Sequence, residues 1–255
     1  MSVFSGTIFY SSEASGGGSG TGSYITSGLI GYWDANLTSS YAGSGSTWYD
    51  ISGRGYNMIF PSSSTEIKWV SGSPSSFHIP DNEHMSGSSN WAELRDLPKL
   101  YTEVTCFATV YNSRLGNWIF SNDQLNAGGY SLIYKDVLGS NKFYWQCWDY
   151  YNTLVQCYAT GSANQQFTWY TVAFTFSWPG QQGVGYVDGG SGVSTNTGTT
   201  DQPTNNGTRF YIGKGPGGAD DFSGSIANIM IYNRKLSQSE IDQNFKYLAT
   251  WNPNY

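Results

Sequence analysis

From Gly28 onward the sequence is a succession of short segments rich in aromatic and β-branched residues, each broken by Gly, Ser, Asn or Pro. Punctuation at that spacing leaves no room for long helices and suits short strands joined by tight turns. Several segments alternate. In Thr171-Val172-Ala173-Phe174-Thr175-Phe176 the large apolar residues fall at every second position and so share one face of a strand. The expected strands are Leu29–Asp34, Ile67–Val70, Phe77–Ile79, Glu103–Tyr111, Trp118–Phe120, Tyr130–Tyr134, Lys142–Trp148, Leu154–Tyr158, Thr168–Phe176, Val184–Val187, Arg209–Ile212 and Gly224–Tyr232.

Composition points the same way. Aromatic residues make up 17% of the 255 positions and charged residues 12%, against about 25% charged in ordinary soluble domains. Aromatic side chains suit a pleated, half-buried surface, and low charge with many rings opposes disorder. The net charge is −6 with no Lys/Arg cluster, so no nucleic-acid partner is expected. No stretch approaches the ~20 apolar residues that span a bilayer, and no membrane insertion is expected. Residues 1–10 lack a basic start and a long apolar core, so a classical signal peptide is not expected. Cys106, Cys147 and Cys157 are odd in number and lack C-x-x-C spacing, which favours reduced, buried thiols over a disulfide framework or a zinc site.

Two regions are expected. Residues 1–23 comprise an apolar peptide, with Phe4, Ile8 and Phe9, followed by a Gly/Ser-rich tether. That peptide reads either as a strand docking on the main domain or as an anchor engaging a neighbouring subunit. Residues 24–255 form one domain without internal repeats.

Lys142–Trp148 and Leu154–Ala159 flank a turn and suggest a hairpin, whose faces can be read by setting Cys147 opposite Cys157. One face then carries Phe143, Trp145, Cys147, Val155, Cys157 and Ala159 and belongs to the core. The other carries Tyr144, Gln146, Trp148, Gln156 and Tyr158, rings interleaved with amides. Such a face either stacks on sugar rings and hydrogen-bonds their hydroxyls, or lies under a second layer with its polar tips satisfied.

One helix is signalled. Ser237-Gln-Ser-Glu240 is a capping box, Leu236 and Ile241 suit a hydrophobic staple, and Ile241, Phe245 and Leu248 form one apolar stripe.

Four stretches in order resemble the laminin-G-like branch of the concanavalin A-like lectin/glucanase superfamily. They are Gly28-Leu-Ile-Gly-Tyr-Trp-Asp-Ala35, Trp48-Tyr-Asp-Ile-Ser-Gly-Arg-Gly-Tyr-Asn57, Phe77-His-Ile-Pro80, and Phe222 to Ile241 with its Ile-Tyr-Asn-Arg-Lys-Leu-Ser-Gln-Ser-Glu-Ile ending. The last is the most specific. The resemblance implies an all-β, two-sheet antiparallel jelly-roll sandwich with one short C-terminal helix, and adhesion to glycans or proteins. Independently, Asp50 and Ser52 suit bonding to backbone groups of the Gly53–Gly55 turn, and Asp188-Gly189 is a hairpin-turn signal. No cofactor is required. Some relatives bind calcium at a loop edge, where Asp220 and Asp221 stand here, but Ser75-Ser76 replace an acidic pair that many relatives carry.

Catalytic chemistry is thin. Glucanases of the superfamily use an E-x-D-x-x-E strand. The E-x-D match here, Glu240-Ile-Asp242, lies on the helix and lacks the third acid. His78, Asp81, Glu83 and His84 match no recognised metal-ligand spacing, and no G-x-S-x-G elbow is present. The chain is therefore expected not to be an enzyme. The first functional expectation is a structural or adhesive protein at a virion or extracellular surface, a capsid decoration or fibre. Its partners would be other particle subunits, through the N-terminal peptide, and cell-surface glycans. The alternative is a free-standing carbohydrate-binding lectin module; a glycoside hydrolase ranks last.

Overall fold

The computed structural model describes residues 22–60, 66–80, 83–87, 94, 97–113, 117–122, 130–135, 142–148, 154–159, 167–178, 183–190, 193–194, 209–215 and 222–251. Phe4, Ile8 and Phe9 lie outside these residues, as do Asp81, Asp220 and Asp221. In chain order the strands are β1 (Leu29–Asp34), β2 (Thr47–Trp48), β3 (Met58–Ile59), β4 (Lys68–Val70), β5 (Ser76–Ile79), β6 (Met85–Gly87), β7 (Glu103–Asn112) and β8 (Asn117–Ser121). They continue as β9 (Tyr130–Lys135), β10 (Lys142–Trp148), β11 (Leu154–Ala159), β12 (Trp169–Ser177), β13 (Val184–Val187), β14 (Val193–Ser194), β15 (Tyr211–Ile212) and β16 (Gly224–Tyr232). Two helices are described, α1 (Leu97–Leu100) and α2 (Gln238–Leu248).

The strands form two antiparallel sheets. The first runs β14-β13-β12-β7-β16-β5-β4, with β1 also paired to β16; the second runs β11-β10-β9-β8-β15-β6-β3-β2. Alternation explains the sandwich. Cys106, Ala108 and Val110 of β7, Val172, Phe174 and Phe176 of β12, and Ile226, Ile229 and Ile231 of β16 point into one core. Tyr130, Leu132, Phe143, Trp145, Cys147, Cys157 and Ala159 of the second sheet meet them there. Burial of such side chains stabilises by about 1.5–3 kcal/mol each. A jelly-roll sandwich is thus what the structure shows.

The outer face of the first sheet holds a second apolar cluster. Tyr32, Phe107, Ala173, Met230 and Tyr232 pack under Leu236, Ile241, Phe245 and Leu248 of α2 and its approach. α2 starts where the capping box predicts: Ser237 Oγ accepts from Glu240 N, and the Glu240 carboxylate accepts from Ser237 N at 2.8 Å. Arg234 clasps the same carboxylate with two N–H groups at 2.9 and 2.6 Å, and with that fork and the Ser237 bonds the Glu240 carboxyl is held down at about 2.

The Asp50 turn forms as its residues require. Asp50 accepts from Ser52 N, Ser52 Oγ and Tyr56 N within 3.0 Å, and Gly53 and Gly55 hold φ of 89° and 77°. Asp188 and Gly189, at φ 48° and 68°, begin the turn from β13 to β14, a pair of left-handed residues matched to strand twist. The hairpin pairs in a register two residues from Cys147 opposite Cys157. Cys157 stands opposite Trp145, and Cys147 opposite Val155. The shift is of two residues, so each side chain keeps its face.

Candidate functional site

The outer face of the β10–β11 hairpin gathers four of the five expected glycan contacts into two cross-strand pairs. Tyr144 stands opposite Tyr158 and Gln146 opposite Gln156. The two rings lie 5.9 Å apart at 53°, and Gln146 Nε2 donates to Gln156 Oε1 at 3.2 Å. Lys142 places Nζ 3.9 Å from the centre of the Tyr158 ring, a cation–π contact. Trp148, the fifth, stands opposite Leu154 at the strand end.

Access falls off toward the middle of the sheet. Tyr144 and Gln146 are 5% and 6% exposed, and Ser131, opposite Gln146 on β9, is fully buried. Lys142, Gln156 and Tyr158 are half-buried. Solvent therefore reaches a ring, an amide and a cation along the β11 edge. An amide has two N–H donors and two lone pairs, so the Gln146–Gln156 bond uses only part of its capacity.

Backbone packing fixes this edge against the first sheet. Gly185 of β13 comes so close that a Cβ there would meet Tyr158 O at 2.7 Å and Ala159 Cβ at 2.8 Å. Only a residue without a side chain allows that approach.

The acidic groups have other tasks. Glu240 is bound to Arg234 and Ser237, and Asp242 accepts from Gln238 Nε2 at 2.8 Å. Among the described residues no three His, Cys, Asp or Glu side chains gather as a metal site. Ser75 and Ser76 offer hydroxyls rather than carboxylates. The Ser75 hydroxyl bonds to Gly72 O at 3.3 Å, and Asp220 and Asp221, the residues the calcium expectation rests on, lie outside the described residues.

A second concave surface, missed in the sequence, lies on the first sheet beyond the end covered by α2. Val70, Ser76, His78, Tyr111, Trp169 and Ser225 are among the residues lining a cavity of ≈ 300 Å³. Five strands contribute, from Val70 of β4 to Ser225 of β16. No local pattern signals such a site.

The Laminin_G_3 family model, described as the Concanavalin A-like lectin/glucanases superfamily, matches residues 86–242. No curated protein matches significantly. Among solved structures, the botulinum neurotoxin serotype G binding domain is 16% identical, with TM-score 0.64 over 87% of this chain and 51% of that one. The binding domain of botulinum neurotoxin DC in complex with SialylT is 15% identical, with TM-score 0.62 over 88% and 52%. Trypanosoma rangeli sialidase in complex with sialic acid is 21% identical, with TM-score 0.52 over 90% and 34%. The chain spans about half the length of the neurotoxin domains it resembles. These likenesses establish the fold.

Proposed function

This chain belongs to the concanavalin A-like lectin/glucanase superfamily, and we propose that it is a non-catalytic carbohydrate-binding module. The observation that carries the reading is the β11 edge of the hairpin, where Tyr158, Gln156 and Lys142 face outward together. A pyranose has an apolar C–H face and a rim of hydroxyls. The Tyr158 ring suits the face; the Gln156 amide and the Lys142 ammonium suit the rim. The SialylT and sialic acid named with two structures of this fold are consistent with such a ligand. The reading needs no cofactor, and binding should survive chelation of divalent ions.

The test is a glycan array with the full chain and with Tyr158→Ala. The intact protein should hold a defined set of glycans, and the variant should lose them while melting at a similar temperature. An empty array, or glycosidic turnover abolished by one Asp or Glu substitution, would defeat the proposal.

We propose further that the module is displayed on a particle surface, such as a virion, through Phe4, Ile8 and Phe9. The supporting observation is the order of the sequence, an apolar peptide followed by a Gly/Ser tether. Each such side chain adds ~1.5–3 kcal/mol when buried against a partner. Removing residues 1–21 should leave the melting temperature unchanged and abolish incorporation or self-association. Loss of the fold, or unchanged association, would refute the anchor.

A further inference from the structure

We infer that the first sheet carries a second saccharide subsite, in the groove between the β4–β5 turn and the Tyr111–Trp169 pair. The inference rests on the carbohydrate-binding reading and adds a site on the opposite side of the sandwich. Strand register sets Lys68, His78, Ser225, Tyr111 and Trp169 in one row across β4, β5, β16, β7 and β12. Their chain neighbours Phe77, Ile226, Val110 and Tyr170 all point into the core. Alternation therefore turns the whole row outward.

α2 covers the other end of this face, over Phe107, Met230 and Tyr232, and the row lies at the end that helix leaves uncovered. Tyr111 and Trp169 sit with ring centroids 5.6 Å apart at 51°. Both are half-buried, and His78 is exposed. The cavity beside them, ≈ 300 Å³, is lined by these three residues together with small hydroxyl side chains such as Ser76 and Ser225.

That combination selects for a sugar. The indole presents a flat apolar surface for the C–H face of a pyranose, while the imidazole and the serine hydroxyls exchange hydrogen bonds with its rim. A purely apolar occupant would strand the serine and histidine groups; a purely polar one would leave the rings wet. None of the lining residues is acidic, in a chain of net charge −6, so the groove admits neutral and carboxylated pyranoses alike.

The experiment is chemical-shift mapping on the full chain, titrated with methyl glucoside, methyl galactoside and methyl α-sialoside. It compares the native protein with Trp169→Ala, His78→Ala and Tyr158→Ala. At least one glycoside should shift groove resonances in the native protein and in Tyr158→Ala. Trp169→Ala should weaken those shifts about tenfold, as expected for loss of one stacking ring. His78→Ala, at an exposed position, should weaken them too, which guards against a tryptophan variant that fails to fold. Groove shifts that persist in both variants would overturn the inference. Shifts confined to the hairpin and lost in Tyr158→Ala would overturn it while leaving the hairpin reading intact. Groove shifts without hairpin shifts would uphold it and defeat the hairpin site. No shifts with any glycoside would end both.

Discussion

The Tyr32 hydroxyl donates to the Asp34 carboxylate at 2.8 Å, on the strand face covered by α2, and meets the Tyr247 hydroxyl of that helix at 3.2 Å. Asp34 is fully buried. Burial pushes its carboxyl up to about 6, although hydrogen bonds from Asn36 and Tyr32 pull the other way. The outer cluster thus contains a carboxylate whose ionisation opposes folding.

The pH dependence follows. A carboxyl raised in the folded state binds its proton more tightly there than in the unfolded chain. Its stabilisation is complete below about pH 4, the unfolded value, and is lost as pH rises through about 6. Burial raises Asp188 to about 6 as well, with the same sign. Glu240, lowered to about 2 chiefly by Arg234, works oppositely: its stabilisation is present above about pH 4 and lost as pH falls toward 2. The melting temperature should therefore rise from neutral pH toward about pH 5 and fall only in stronger acid. Asp34→Asn should flatten part of that rise in a thermal-melt series; a variant with the native slope would show that Asp34 does not set it.

Asp50 joins the Gly53–Gly55 turn to β1, because it also accepts from Tyr32 N at 2.9 Å. Asp50→Ala leaves that N–H and the turn donors without their acceptor. The loss should be about 2 kcal/mol or more, read as a lower urea midpoint at unchanged slope. A variant within about 0.5 kcal/mol of native would mean that water replaces the carboxylate at little cost.

Gly185→Ala should destabilise by roughly 1–3 kcal/mol, since the added methyl meets backbone and core atoms at once. The shift must reach β11, so glycan binding at Tyr158 should weaken as well. Native stability together with native binding would show that the two sheet edges part easily.

The three thiols are free and buried. Burial pushes the Cys106 and Cys157 thiols far up, and thiolate is the reactive form. A disulfide-exchange reagent should label no cysteine in the folded protein and three in denaturant, and a reductant should leave the melting temperature unchanged. Rapid labelling of the native chain would contradict this burial.

Much of this architecture is legible along the chain. β1, β10, β13 and β16 have the bounds that alternation predicts, and Phe143, Trp145, Cys147, Cys157 and Ala159 lie in the core as read. The Ser237–Glu240 capping box marks the start of α2. β2, β3 and β14 escaped because two residues cannot display a period, and β6 because three barely can. In the hairpin, a register with Cys147 opposite Cys157 and the observed one with Cys147 opposite Val155 both keep the two cysteines inward, so alternation does not choose between them.

The features legible along the chain alone are local: where strands run, which side chains share a face, and where the helix begins. Each of these follows from backbone geometry within a few residues. What lies over each face was decided only by the tertiary structure. Tyr144 and Gln146 carry the same alternation signal as Gln156 and Tyr158, yet the first pair is buried and the second half-open. The row of His78, Ser225, Tyr111 and Trp169 exists only because β5, β16, β7 and β12 pair across long stretches of chain. Alternation chooses a side of the sheet, whereas exposure depends on distant segments, whose pairing and packing no local pattern encodes.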